Sequence, residues 1–341
     1  MRRALQSIVL LLAVLLLAGC GDDGGDSAAD GGNRRLTIYS GRDEALVKPL
    51  IDRFQRESDI EVRVRYGETA ELAATWREEG DRSPADVFFG QDAGALGALQ
   101  QAGLLEMLPQ GTLDRVAARF RSAEGRWVGT SGRSRVLAYD ERELSEGELP
   151  RSVLDLTEPA WKGRIGWAPT NASFQAFVTG LRRVEGDDGA RRWLEGMKDN
   201  DVKAFESNVL IRDAVAKGEI DAGLINHYYV LEAIAEEGSD YPVKLHFFGD
   251  GDIGSLVNVA GAAVLESSSR KAEARRFVDF LLGAEAQRYF AEDTKEYPLA
   301  ADAEADPVLP ELTSIEQPDL DLSDLDDLQG TLELLQETGV L

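Results

Sequence analysis

Cysteine is nearly absent from this chain: Cys20 stands alone among 341 residues. That excludes a disulfide framework, a cysteine metal site and a cysteine nucleophile from the folded part. Histidine is almost as scarce. With only His227 and His246, Ser-His-Asp triads and histidine-rich zinc sites have few possible members. No Gly-x-Ser-x-Gly or Gly-x-Gly-x-x-Gly motif stands at a strand-to-helix turn, and Gly90-Gln91-Asp92-Ala93-Gly94 does not fit a phosphate loop. The paired carboxylates of a glycosidase are not marked out among 62 acids. The expectation is a protein that is not an enzyme.

Basic residues are also few. The formal charge is −25, and setting aside Arg2 and Arg3 takes 37 Lys and Arg to 35 against 62 Asp and Glu, a charge of −27. No basic surface stands out to neutralise phosphates, so nucleic acid is excluded as a partner. What is present suits a folded protein: 43% hydrophobic and 29% charged residues can bury a core. The length exceeds one ordinary domain and favours two lobes.

Arg2 and Arg3 precede an apolar run over residues 8–17, the layout of an export signal and too short to span a membrane. It ends in Leu17-Ala18-Gly19-Cys20, which resembles the lipobox of bacterial lipoproteins. That resemblance implies a signal peptide over residues 1–19 and a lipid on the Cys20 sulfur. Residues 21–32 are nearly all Gly, Asp, Ala and Ser, so residues 20–35 read as the lipidated cysteine and a flexible tether. The four Asp of that stretch lack calcium-loop spacing.

From residue 36 strands and helices alternate. Residues 36–39 read as a strand, and Leu46, Val47, Leu50, Ile51 and Phe54 recur at helical spacing. Residues 60–66 alternate as a strand does, Thr69 opens a helix to Glu79, and residues 86–89 form a third strand. This order implies an α/β fold with a parallel sheet, whose ligands sit beyond the carboxyl ends of the strands. Further strands are expected over 136–139, 163–167, 223–225, 243–248 and 259–264. Helices are expected over 173–184, 190–197, 209–216, from 228 to 236, over 271–282 and over 328–337. No internal repeat and no second membrane-length apolar run is present.

Tyr228 and Tyr229 follow the strand at 223–225 and open a helix, at the position where such sheets bind ligands. Adjacent tyrosines there can be ordinary amphipathic packing. They can equally be two hard oxygen donors for one highly charged cation, which would expel their protons on binding. His227 would point about a third of a turn away on a helix, and is expected behind the tyrosines or exposed. Asp250-Gly251-Asp252 reads as a turn.

Six stretches in order carry a family resemblance: Ile38-Tyr39-Ser40-Gly41-Arg42; Glu78-Glu79-Gly80-Asp81 with Pro84-Ala85-Asp86-Val87-Phe88; Ser131-Gly132-Arg133-Ser134-Arg135; Trp161-Lys162-Gly163-Arg164-Ile165-Gly166; Leu224-Ile225-Asn226-His227-Tyr228-Tyr229; and Gly261-Ala262-Ala263-Val264. In these the chain resembles the periplasmic ferric-ion-binding proteins of bacterial iron(III) ABC transporters, in lipoprotein form. The resemblance implies a type II periplasmic binding protein: two α/β lobes, a two-strand hinge and an interlobe cleft. The hinge would cross near residues 131–136 and 256–259. The first lobe would span 36–133 plus 258–305, and the second 134–257 plus 306–341.

For the site, the resemblance implies phenolate ligands at Tyr228 and Tyr229. Where some relatives have a histidine ligand this chain has Asp43, and where they have a glutamate it has Gln91. A third family tyrosine is Phe174 here and cannot ligate, which implies that an exogenous anion, carbonate or phosphate, completes the shell around Fe(III). Anion contacts fall on Asn171, Ala172 and Ser173 at a helix N-terminus, with Asn208 and Asn226. Arg42 and Arg133 resemble carbonate-holding arginines, although each can also be a surface residue or half of a structural ion pair. The implied partners are an ABC permease and its ATPase, with the membrane reached through the lipid anchor on the periplasmic face or outer surface of the cell membrane, and the protein is expected to be a monomer. Two other readings stay open: the same fold binding an organic solute or anion such as thiamine, a polyamine or a phosphonate, and an extracytoplasmic hydrolase or structural lipoprotein.

Overall fold

The computed structural model describes residues 34–300 and 304–341; the expected signal peptide, Cys20 and most of the tether lie outside the described residues. Arg35, expected at the end of the tether, instead opens the first strand, because its neighbours alternate into the core.

The chain begins β1 (Arg35–Ser40), α1 (Glu44–Ser58), β2 (Glu61–Tyr66), α2 (Thr69–Glu79) and β3 (Val87–Gly90). β1 pairs in parallel with both β2 and β3, from Arg35↔Glu61 on one side and Ile38↔Val87 on the other. α1 starts where the Asp43 carboxylate accepts from the Ala45 N–H at 2.8 Å and buries Val47, Leu50, Ile51 and Phe54, the helical spacing read from the sequence. After α3 (Ala93–Gln101) and the short α4 (Gln110–Leu113) comes β4 (Val128–Asp140), a fully buried strand of 13 residues. Apolar spacing marks only residues 136–139 of it, and the family resemblance adds a hinge crossing near 131–136. Gly129 to Ser134 lack apolar alternation, and their burial rests on polar partners.

β4 joins two sheets. Residues from Val128 to Ser134 pair antiparallel with β9 (Val257–Val264), which in turn pairs with β3 from Val87↔Val264 to Gly90↔Gly261. Past Ser134↔Val257 the strand changes partners, taking β7 (Ala222–Asn226) from Arg135↔Asn226 and β8 (Val243–His246) from Leu137↔His246. β5 (Ile165–Trp167) extends the second sheet in parallel with β7 and with β6 (Lys203–Ala204). The sheets are therefore mixed and not purely parallel.

The second sheet carries α5 (Ala172–Asp199), broken at Gly186 with φ 73°, so the two helices expected there are both present. α6 (Asn208–Ala216) and α7 (Tyr228–Glu237) follow. α8 (Lys271–Leu281) and α9 (Ala284–Glu292) return to the first sheet, and β10 (Tyr297–Pro298) pairs with β4 at Gly132 and Ser131. α3 and α9 are not marked by the sequence reading; α3 is Ala- and Gly-rich with no strong polar face.

The tail ends in α10 (Leu328–Glu337), joined to α5 by the Thr179 and Thr331 hydroxyls at 2.8 Å. A 3-10 turn before it, Leu322–Asp326, lies so close to α3 that a Cβ at Gly94 would strike the Leu325 carbonyl oxygen and one at Gly97 that of Ser323. The tail thus packs on α3 and on α5. Among the described residues no helix is long and apolar enough to cross a membrane.

Candidate functional site

β7 is buried along its length and delivers Asn226, His227, Tyr228 and Tyr229 at its carboxyl end. The two tyrosine rings lie 4.2 Å apart between centroids, tilted by 34°, close enough for each phenol to act on the other electrostatically. Tyr228 is 8% exposed, and Tyr229 is half-buried. Burial, followed by the neighbouring Tyr229, pushes the Tyr228 phenol well above its usual range, while Arg133 opposes the shift. Tyr228 therefore holds its proton at neutral pH. Among the described residues no three His, Cys, Asp or Glu side chains gather as a metal site, so a hard cation here would depend on the phenols.

His227 is fully buried and is not a donor to the cleft. Its Nδ1 accepts the Ser134 N–H at 3.1 Å, and its Nε2–H donates to the Lys295 carbonyl at 2.9 Å. The exposed placement allowed by the sequence is thereby excluded. Burial drives the imidazole down to about 4, so it is neutral at pH 7. His246 bonds the Pro150 carbonyl at 2.8 Å, distant in role from the tyrosines. Asp250-Gly251-Asp252 is a turn, with φ of 55° and 72° at its first two residues.

Arg42 and Arg133 converge on a carboxylate that sequence reasoning does not single out, Glu296. Arg42 grips it with Nη1 at 2.9 Å and Nη2 at 2.7 Å, and Arg133 Nε stands 3.9 Å away. Ser131 and Thr294 hydroxyls each donate to it at 3.0 Å. Burial would raise the Glu296 carboxyl, but Arg42 first and Arg133 after it hold it below its usual range. Arg42, expected among the anion contacts, is thus engaged in a buried ion pair, with Nη1 also donating to Gln91 Oε1 at 2.9 Å. Arg133 donates from Nη2 to the Gln91 carbonyl, while its buried Nε and Nη1 make no hydrogen bond.

The positions expected to contact an anion gather on the second sheet's side. Asn171 caps α5, accepting from the Ser173 N–H at 3.0 Å and its hydroxyl at 2.5 Å. Asn208 Nδ2 reaches both Asn171 Oδ1 and Ser173 Oγ at 3.4 Å, and its buried Oδ1 is unpaired. Ala172 opens the helix. Into this group comes Arg135, the second residue the sequence reading passes over. It touches Ser173 Oγ at 3.3 Å, Asn226 Oδ1 at 3.5 Å and the Leu224 carbonyl at 3.0 Å, stacks near Phe177 and Phe174, and leaves Nε unpaired. Burial takes its guanidinium down to about 10, with Tyr229 and Tyr228 opposing. A signal for it existed: Arg133 and Arg135 sit two apart on one strand and project to the same face. Phe174, fully buried, serves as part of that wall.

Asp43 is exposed, with one oxygen committed to the α1 cap. Gln91 is half-buried, its side-chain oxygen taken by Arg42.

A family described as bacterial extracellular solute-binding protein matches residues 82–323. The major ferric iron-binding protein of Neisseria meningitidis serogroup B is 37% identical over 308 residues, covering 89% of this chain and 93% of that protein. The crystal structure of iron-bound HitA from Pseudomonas aeruginosa matches with a TM-score of 0.83 at 37% identity, over 90% of this chain and 99% of that one. Trichodesmium IdiA (FutA), solved in complex with iron and citrate ligands, matches with a TM-score of 0.77 at 29% identity, over 89% and 99%. With the fold these neighbours share, two-lobed and of the type II periplasmic binding class, the chain belongs to the bacterial extracellular solute-binding proteins, a family that binds its ligands without transforming them.

Proposed function

We propose that this protein captures ferric iron together with an exogenous anion and delivers it to an ABC importer, a permease with its ATPase. The observation that carries the reading is the pair of tyrosine rings lying side by side, 4.2 Å apart, at the start of α7. Loss of both protons gives two hard anionic donors, matched to a trivalent cation. Asp43 supplies a further carboxylate at the rim, and Gln91 is the weaker candidate because Arg42 holds its oxygen. The anion, carbonate or phosphate, lies on Asn171, Ala172, Ser173, Asn208 and Asn226, with Arg135 as its charged contact. Arg133 faces the Tyr228 phenolate.

The relatives support the reading: one is named a ferric iron-binding protein and two were solved with iron bound. In this scheme the lobes are residues 36–133 plus 258–305 and residues 134–257 plus 306–341, closing about the crossing of β4 and the start of β9. The protein works as a monomer tethered outside the cytoplasm through lipid on Cys20. Metal-free protein given Fe(III) with bicarbonate or phosphate should develop a visible phenolate-to-iron charge-transfer band, lost when Tyr228 and Tyr229 are both Phe. A colourless mixture with an unchanged melting temperature would end the iron reading.

A second reading, an organic anion as ligand, draws on the unpaired N–H groups of Arg133 and Arg135. The same guanidiniums disfavour the cations thiamine and polyamine and leave a phosphonate-like solute. It predicts a rise in melting temperature with that solute and none with iron.

A further inference from the structure

We infer that Glu296 is a built-in counter-anion that determines where an exogenous oxyanion can bind: it fills the Arg42–Arg133 pair from within and so confines the anion to Arg135 and the second-lobe cluster. The inference deepens the proposed function and rests on its anion partner.

The geometry is that of a bound anion. Glu296 is 3% exposed and receives four hydrogen bonds, two from the Arg42 fork and one each from Ser131 and Thr294. This is how a protein holds a bidentate oxyanion, except that the oxyanion belongs to the chain itself. Arg42 gives Glu296 both terminal nitrogens and Nη1 also serves Gln91; the buried donors left over, Nε of Arg42 and Nε and Nη1 of Arg133, lie in the field of the Glu296 charge. The other buried carboxylate within electrostatic reach of Arg133 is Asp92, and it is occupied in capping α3 through the Ala95 N–H at 3.0 Å. An incoming carbonate or phosphate at Arg42 and Arg133 would meet the Glu296 charge at contact distance in a dry site, where repulsion is strong. Arg135 is different: its partners Ser173, Asn226 and Leu224 are all neutral, and no carboxylate competes for its unpaired Nε.

Backbone geometry shows how Glu296 comes to be there. Lys295 is held at φ 56°, a conformation uncommon for a side chain of its size, with its carbonyl bonded to His227. This twist turns the next residue inward to the arginines, and Tyr297 then pairs with Gly132 of β4. Glu296 is accordingly a specificity-determining residue that acts through Arg42 and touches neither cation nor phenol.

Calorimetric titration of metal-free protein with inorganic phosphate tests this apart from iron. Wild type should take one equivalent. Glu296→Gln, which keeps the shape and removes the charge, should take a second equivalent or bind on the order of tenfold more tightly, the scale set by one nearby charge. Arg42→Gln combined with Glu296→Gln removes one charge of each sign and should restore single, wild-type-like binding. Unchanged or weaker phosphate binding by a folded Glu296→Gln protein would overturn the proposal. If that variant does not fold, the paired variant decides, and loss of phosphate binding in it would count against the idea because the first-lobe pair would then be the anion site. The iron band read on the same wild-type sample separates the two failures: a band with no phosphate shift rejects Glu296 alone, and a phosphate shift without a band rejects the iron reading alone.

Discussion

The His227 imidazole joins the tyrosine-bearing helix to the first sheet's last segment, donating from Nε2 to the Lys295 carbonyl at 2.9 Å while Nδ1 accepts from Ser134 in the strand that links the sheets. Both ring nitrogens are used only in the neutral tautomer with the proton on Nε2. Protonating Nδ1 would turn it against the Ser134 N–H.

A pH dependence of stability follows. The folded-state value of His227 lies at about 4 against about 6.5 unfolded, so between these the unfolded chain binds the extra proton. Stability is complete above pH about 6.5 and declines as pH falls toward 4, by roughly 3 kcal/mol from this group. Urea denaturation of metal-free wild type and His227→Gln across that range should show a shallower slope in the variant. Parallel slopes would refute the assignment.

Iron retention should weaken as the medium is acidified, because the burial that raises Tyr228 makes its proton a strong competitor for the oxygen. Transfer of iron to a competing chelator, followed through the visible band from pH 8 to pH 5, should become steadily easier. Tyr228→Phe without iron should keep about wild-type stability at neutral pH, since a phenol of raised pKa is protonated both folded and unfolded and its titration adds nothing there.

Arg135 should matter more to the anion than Arg133 does. Arg135→Gln is expected to weaken phosphate binding about tenfold or more, the scale of one charge-assisted hydrogen bond. Arg135→Lys should not rescue it fully, because a point charge cannot serve Ser173 and Asn226 from one nitrogen and the Leu224 carbonyl from another as the planar fork does. Equal phosphate affinity in all three proteins would contradict the placement.

The tail should fail at Gly97. Gly97→Ala puts a methyl against the Ser323 carbonyl, and overpacking of that kind costs about 1–3 kcal/mol. Limited proteolysis should then cut near residues 320–327 faster than in wild type, with a lowered melting temperature. Gly111→Ala, where a Cβ meets nothing, is the matched control.

Much of the fold was legible because it is local. α2 and α10 run from Thr69 to Glu79 and from Leu328 to Glu337, as their apolar spacing foretells, and the two tyrosines stand where a strand-to-helix boundary puts them. The first half of β4 was not legible from apolar spacing. Its residues include Gly129, Thr130, Ser131, Gly132 and Arg133, which become strand only because β9, β10 and Glu296 supply partners.

Sequence alone determined the alternation of strands and helices, the scarcity of cysteine and histidine that excludes cysteine and histidine-rich metal sites, and the adjacency of Tyr228 to Tyr229. All of these depend on spacings of a few residues. Tertiary structure alone decided that Arg42 is held by Glu296, 254 positions away, that Arg135 has only neutral partners, and that His227 faces inward. Charge pairing and desolvation depend on distance in space, and chain folding sets that distance independently of separation along the sequence.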